Sequence, residues 1–220
     1  MKIKEILKLN RFNMMLLILA FNYWLAHIGM LPQGRAVNAF EDTGFMSHLT
    51  VVALMVAQFI FLWFIFKSEH IKDFFKNFSI AYVIQIYFMR EADFHIIMVN
   101  GKRQSMTNVK YYMNSDISIF LKILSLTILT LLALAIAYLI LFYGKKFLTA
   151  FFNKEPWTIA FLLWGVLLFL SQVCDRWGVI NKSPYWQIKT IEEMLEFTSA
   201  LFLASCGLQY LLEYKRTKIK

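Results

Sequence analysis

Charged residues are scarce in this chain, and their scarcity decides its class. Of the 220 residues only 17% are charged, whereas 59% are hydrophobic, and the mean hydropathy is +0.55. A soluble domain is about a quarter charged and about half apolar. With 3 prolines and 8 glycines, collagen-like and disordered classes are also excluded. We therefore expect an integral membrane protein.

Cysteines are few, and the common catalytic motifs are missing. Cys174 and Cys206 form no C-x-x-C pair and no Cys/His cluster, which argues against a disulfide framework or a structural zinc site. We interpret both as core thiols. Because P-loop, G-x-G-x-x-G, G-x-S-x-G and kinase signatures are absent, nucleotide-driven chemistry within this chain is not expected.

Long apolar runs separated by charge clusters predict the crossings. A hydrocarbon core about 30 Å thick requires roughly 20 apolar residues in a helix. The fold class predicted is all-α, a polytopic membrane helix bundle with six transmembrane helices arranged as three hairpins in a single domain, 1–220. The predicted spans are about 14–32, 44–66, 77–99, 118–143, 157–174 and 193–213.

The distribution of charge predicts the orientation of the bundle. With both termini on one side, that face carries the whole net charge of +9, and the opposite face balances nine basic against nine acidic residues. The positive-inside rule makes the first face cytoplasmic. The excess charge then serves anionic membrane lipids, and no nucleic-acid partner is expected. The abundance of Lys, Ile, Asn and Phe is typical of AT-rich bacterial genomes, so we expect a bacterial inner membrane.

The third predicted span contains an unusual charged stretch, R-E-A-D-F-H. The 13 residues from Asn77 to Met89 reach only about 20 Å as a helix, too short to cross. If the helix continues to Val99, ionisable side chains lie in the outer half of the hydrocarbon, where a lone charge costs roughly 3 kcal/mol. This interpretation predicts a shared polar cavity, which the stretch supplies with Arg90, Glu91, Asp93 and His95.

Other predicted spans deliver ionisable residues to a similar depth: His27, His48, Asp175, Arg176, Glu192, Glu193 and Glu196. Glu91 and His95 are four apart and would share a helical face. With His27 and His48, His95 could bind a divalent metal ion and leave a position for water. A structural network joining Arg90 and Arg176 to the acids is favoured over that metal site, because buried charges are normally paired. A metal-free acid/base or ion-conducting site is the third alternative.

The connection after the third span predicts an outer loop. Asn100-Gly101 is a turn signal, and the loop carries Lys102, Arg103 and Lys110 beside Tyr111 and Tyr112. It could hold an anionic headgroup or phosphate. The favoured alternative is an amphipathic segment on the interface, with its tyrosines as anchors. The uncharged polar residues within the spans are interpreted as interhelical hydrogen-bond partners: Asn22, Gln58, Gln85, Gln172 and Gln209.

Two functions fit these patterns. The first is hydrolysis or group transfer on a lipid or lipid-linked substrate in the outer leaflet. Glu91, Asp93, His95 and Glu196 would be catalytic. Substrate would be bound by Arg90, Arg176, Lys102, Arg103 and Lys110, and a metal by His27, His48 and His95. The alternative is a channel, an ion-coupled transporter or an accessory subunit of a membrane complex, which would need a homo-oligomer or another partner.

Overall fold

Helices dominate the part of the chain that the structure describes. The computed structural model describes residues 12–19, 45–92, 94–100, 102–181 and 185–218. The first helical segment, α1, covers 12–19. The later helices are α2 (Phe45–Phe66), α3 (Ile71–Glu91), α4 (Val109–Met113), α5 (Ile119–Phe152), α6 (Pro156–Asn181) and α7 (Tyr185–Lys218). Between α3 and α4 lie two strands, β1 (Ile96–Val99) and β2 (Lys102–Ser105).

The chain forms two compact units. Unit 1 comprises Met1–Ile60 and Lys146–Lys220, and unit 2 comprises Phe61–Lys145. The boundaries between the units fall within α2 and α5. The single domain expected from the sequence stays a prediction.

Among the described residues, four helices are long and apolar enough to cross a membrane. They are Ser47–Phe66, Ile119–Phe152, Pro156–Cys174 and Lys189–Tyr214. They coincide with the predicted second, fourth, fifth and sixth spans, which supports the assignment as a membrane protein with transmembrane helices. Most of the first predicted span lies outside the described residues. The six-span count, the three-hairpin arrangement and the cytoplasmic termini stay predictions.

The predicted third span is wrong at its outer end. We expected a helix to Val99, but α3 begins earlier, at Ile71, and ends at Glu91. Ala92 and Phe94 close its last turn by donating backbone N–H groups to the carbonyls of Phe88 and Met89, both at 2.9 Å. The prediction began the helix after Lys76, because that residue is charged. The first turn of α3 nevertheless includes charged residues. Asp73 there complements the helix dipole.

The all-α prediction also missed a β-hairpin. β1 has the sequence IIMV, rich in residues that favour strands, and it pairs antiparallel with β2. Val99 is the register partner of Lys102, so only two residues of the chain separate the paired strands. Asn100 has φ of 50°, as the favoured Asn-Gly hairpin turn requires. The turn signal in the sequence is therefore confirmed.

In unit 1, α6 packs along α7. Their buried core combines Ala160 and Leu167 of α6 with Leu195, Phe202 and Cys206 of α7. In the most apolar stretch of α7, 67% of the residues are buried, against 11% in α5. The apolar surface of α5 therefore suits contact with lipid, whereas α7 is surrounded by protein.

A buried amide cluster ties distant parts of unit 1 together. Asn13 of α1 donates to the carbonyl oxygen of Pro156 at 3.1 Å, and its Oδ1 accepts from Gln209 Nε2 at 2.6 Å and from Ser205 Oγ at 3.3 Å. Gln209 Nε2 also donates to Ser205 Oγ at 2.9 Å. The prediction that Gln209 makes interhelical hydrogen bonds is confirmed.

In unit 2, tyrosine hydroxyls tie α3 and α4 to α5. Tyr82 of α3 donates to the Ile128 carbonyl at 3.0 Å, and Tyr143 of α5 donates to the Lys72 carbonyl at 3.1 Å. Tyr111 of α4 is buried, with its hydroxyl 3.0 Å from Ser125 Oγ of α5. The bonds of Tyr82 and Tyr111 are at least partly buried, so the loss of either partner is costly, whereas the bond from Tyr143 is exposed.

The amide cluster generates a stability prediction. We expect Asn13→Leu to lower the free energy of unfolding by about 1–3 kcal/mol, because it leaves Gln209 and the Pro156 carbonyl without their buried partner. Thermal unfolding of the detergent-solubilised protein measures the loss. Met14→Leu is the matched control, since Met14 is the next residue and is exposed. Equal thermal shifts in the two variants would contradict a stabilising role for the cluster.

Candidate functional site

Among the residues that the structure describes, buried ionisable side chains are most concentrated in the first third of α7. Glu192, Glu193 and Glu196 are only 4% to 6% exposed. With Lys189 they recur at intervals of three and four residues, which places all four on one side of the helix. Together with Ser171 and Gln172 of α6, we call them the acid layer.

One lysine forms ion pairs with two of the three acids. Lys189 Nζ lies 3.4 Å from Glu192 Oε2 and 3.2 Å from Glu193 Oε1. The shared ammonium offsets the repulsion between the two adjacent carboxylates, and partial burial strengthens the attraction by excluding solvent. Lys189 was not among the residues singled out from the sequence, although its spacing of three and four from the acids was a usable signal.

The third acid faces neutral hydrogen-bonding groups of α6. Glu196 Oε1 accepts from Ser171 Oγ at 3.3 Å and from Gln172 Nε2 at 3.5 Å. Gln172 Nε2 also lies 3.2 Å from Ser171 Oγ, and Ser171 Oγ lies 3.1 Å from the Leu168 carbonyl oxygen. The interhelical role predicted for Gln172 is confirmed, and Ser171 is a site residue that the sequence analysis missed.

Ser171 can support Glu196 in either protonation state. A hydroxyl carries one hydrogen but can also accept. When Glu196 is ionised, Ser171 donates its hydrogen to the carboxylate. When Glu196 is protonated, the carboxyl group can donate to Ser171 Oγ, which then donates to the Leu168 carbonyl. The hydrogen bonds of the pair can therefore be completed with either form of the carboxyl group.

The residues predicted for catalysis in the R-E-A-D-F-H stretch lie in unit 2. Arg90 Nη1 is 3.9 Å from Glu91 Oε1, and the Glu91 side chain is 7% exposed. The expectation that Glu91 and His95 share a helical face is wrong, because α3 ends at Glu91 and His95 precedes β1. Asp93 lies outside the described residues.

The predicted metal ligands do not form a described cluster. No group of three His, Cys, Asp or Glu side chains that could hold a metal ion occurs in the part of the chain that the structure describes. His48 is exposed in the first turn of α2, and His27 lies outside the described residues. The site of His27, His48 and His95 stays a prediction, as does the common layer joining the two units.

The predicted anion-binding residues are only partly described. Arg103 and Lys110 are exposed, whereas the side chains of Lys102 and Arg176 lie outside the described part. The neighbouring tyrosines differ from the lipid anchors we expected: Tyr111 is buried, and Tyr112 donates to the Met106 carbonyl at 2.8 Å. Burial raises the pKa of Tyr112, and the adjacent Tyr111 adds to the rise.

Comparisons of the chain with protein-family models, with curated proteins and with solved structures find no match.

The lysine of the acid layer generates a second prediction. We expect Lys189→Met to lower the free energy of unfolding by about 3 kcal/mol, because it removes the cation that Glu192 and Glu193 share while both acids stay buried. Chemical denaturation in detergent measures the change. Adding Glu192→Gln and Glu193→Gln should recover part of the loss.

Lys76→Met is the matched control for this prediction. Lys76 is as shielded as Lys189, with side chains 17% and 20% exposed, but its partner Asp73 is 47% exposed. Removing this more solvated pair should cost about 1 kcal/mol or less. A loss at Lys76 as large as that at Lys189 would contradict the special role of the buried acids.

Proposed function

We propose that the protein takes up protons or small cations at the acid layer, as an ion-coupled transporter, a channel subunit or an accessory subunit of a membrane complex. The observation that carries this proposal is the burial of Glu192, Glu193 and Glu196 inside a helix long and apolar enough to span a membrane. Ionisable residues buried within membrane-spanning helices are costly, and they mark ion pathways and proton relays in membrane proteins.

The contacts of Glu196 favour a proton as the species handled. Its hydroxyl partner Ser171 fits both the carboxylate and the carboxylic acid, so a proton can arrive or leave without unsatisfied groups. A small cation is the alternative, because carboxylate, hydroxyl and amide oxygens are the ligands that hard cations prefer.

The position of the acids favours coupling over an open pore. From Phe197 to Leu212, α7 contains no Asp, Glu, Lys, Arg or His, a stretch of 16 residues or about 24 Å. An ion that moved along α7 alone would meet none of these side chains over this distance. We therefore favour uptake at one end of the span, completed by a second copy or a partner subunit.

Flux in proteoliposomes tests the proposal. Under an imposed proton or cation gradient, with pH- or cation-sensitive dyes inside the vesicles, the wild-type protein should carry flux that Glu196→Gln reduces at least about a hundredfold, the lower end of the effect expected for loss of a proton-transfer group. Glu213→Gln is the matched control, because it makes the same change on α7 about 25 Å further along. It should keep the wild-type rate.

Infrared spectroscopy supplies an independent measurement. The carbonyl band of a protonated carboxyl group should appear on acidification and lose intensity in Glu196→Gln. Wild-type flux in Glu196→Gln, or no flux in the wild type under any gradient, would contradict the proposal.

A lipid hydrolase or transferase is the second candidate. Its supporting observation is the shielded carboxylate of Glu91 beside Arg90, close in sequence to His95 and to the basic hairpin. An acid, an anion-binding guanidinium and an imidazole are a usable set for acid/base chemistry on a phosphate-bearing lipid. For both candidates we further propose that the termini are cytoplasmic, that the membrane is a bacterial inner membrane and that the protein forms an oligomer. The bound metal belongs to the second candidate.

Turnover assays separate the second candidate from the first. The protein purified with its bound lipid should lose at least about a hundredfold in turnover in Glu91→Gln and His95→Ala if these groups transfer protons. Asp73→Asn, at the opposite end of α3, is the control and should keep turnover. Unchanged turnover in both site variants would remove this candidate.

A further inference from the structure

The β-hairpin and α4 expose large apolar side chains. Phe94, Met98, Val109 and Met113 are between 63% and 80% exposed. They fall within 20 residues, in a segment whose backbone is held by strand pairing and turn hydrogen bonds. Apolar side chains grouped in this way mark a site of interaction with protein or membrane.

Basic residues accompany these apolar side chains. Residues 94–115 contain Lys102, Arg103 and Lys110 but no Asp or Glu. Met98 is the register partner of Arg103, so the two side chains lie on the same face of the hairpin, and both are exposed. An apolar side chain beside an arginine can enter a lipid surface while the guanidinium stays among headgroups.

Hydrogen bonds hold this segment beside the beginning of α5. Asn100 at the hairpin turn donates to Asp116 Oδ2 at 2.7 Å. Tyr111 of α4 lies against α5, with its hydroxyl 3.3 Å from the Leu121 carbonyl oxygen and 3.0 Å from Ser125 Oγ. These contacts lie about 3–9 Å along a candidate span that exposes Ile119 and other apolar residues in its first turns.

The backbone of the hairpin limits how deep it can lie. A two-stranded sheet has unpaired N–H and C=O groups along its edges, and such groups are not tolerated in hydrocarbon. The start of α5, by contrast, is apolar enough to enter hydrocarbon. The hairpin is attached to the start of α5, but its unpaired backbone groups exclude it from the hydrocarbon. It therefore belongs at the level of the lipid headgroups.

We propose that the hairpin and α4 form a docking surface for an anionic bilayer, with Phe94, Met98, Val109 and Met113 entering the interface while Arg103 and Lys110 contact lipid phosphates. This inference goes beyond the proposed function, because it concerns unit 2 and requires neither ion uptake nor catalysis. An anionic surface is favoured over a protein partner because the segment combines positive charge with apolar side chains and has no acid.

Site-specific fluorescence in vesicles tests the docking surface. An environment-sensitive fluorophore is placed at Met98→Cys or at Ser115→Cys, the control, in a chain carrying Cys174→Ser and Cys206→Ala. The vesicles contain phosphatidylglycerol and a lipid with a shallow nitroxide. We expect quenching at position 98 at least about twofold greater than at exposed Ser115, and weaker quenching by aqueous iodide.

The charge requirement is tested in the same assay. Replacing phosphatidylglycerol with phosphatidylcholine, or introducing Arg103→Gln with Lys110→Gln, should lower the lipid quenching at position 98. Equal quenching at positions 98 and 115 would overturn the docking surface. Quenching that does not depend on lipid charge would overturn the anionic assignment. Disulfide-linked dimers formed on oxidation of the unlabelled Met98→Cys chain would replace the bilayer with a second copy.

A measurement on the wild-type chain covers the case in which the cysteine background fails to fold. Aqueous peroxide should oxidise Met98 and Met113 at least about twofold more slowly in phosphatidylglycerol vesicles than in phosphatidylcholine vesicles, because the bilayer shields them. Equal oxidation rates in the two lipids would overturn the proposal.

Discussion

The structure depends on one constraint: polar groups carried into an apolar setting need partners within the protein. α7 obeys it by burying its glutamates against a lysine, a serine and a glutamine rather than turning them outward. Small residues such as Ala160, Ser199 and Ala200 allow helices to approach closely, so that short side chains reach their acceptors. From Ile119 to Phe142, the exposed side chains of α5 are apolar apart from Thr127 and Thr130, because a lipid-facing helix has no such partners.

Much of the helical framework could be predicted from the sequence because span length is a direct consequence of bilayer thickness. Apolar runs of roughly 20 residues predicted α2, α5, α6 and α7. The same criterion failed for α3, where the uncharged stretch from Asn77 to Met89 is short and the helix is completed by charged residues at both ends. The hairpin was missed because its Asn-Gly turn was noted without testing IIMV as a strand.

The ionisable residues of the candidate site could be predicted from the sequence, but their contacts with α6 could not. Three glutamates at helical spacing are visible in the sequence, and so is Lys189 once that spacing is applied. Ser171 is different, because its contact with Glu196 depends on how α6 is rotated against α7, which local patterns do not encode. Asn13 was missed for a related reason: it lies just before an apolar run, and its partners are 143 and 196 residues away.

That separation determines the order in which the protein can mature. Asn13 is made early, but Gln209 leaves the ribosome 196 residues later, about 10 to 40 s at ordinary translation rates. The Asn13 side chain therefore stays without its Gln209 partner until the last helix has been made. Although α1 is synthesised first, the hydrogen bonds that Asn13 accepts from Ser205 and Gln209 can form only after α7 has been made, so a chain truncated before α7 would lack them.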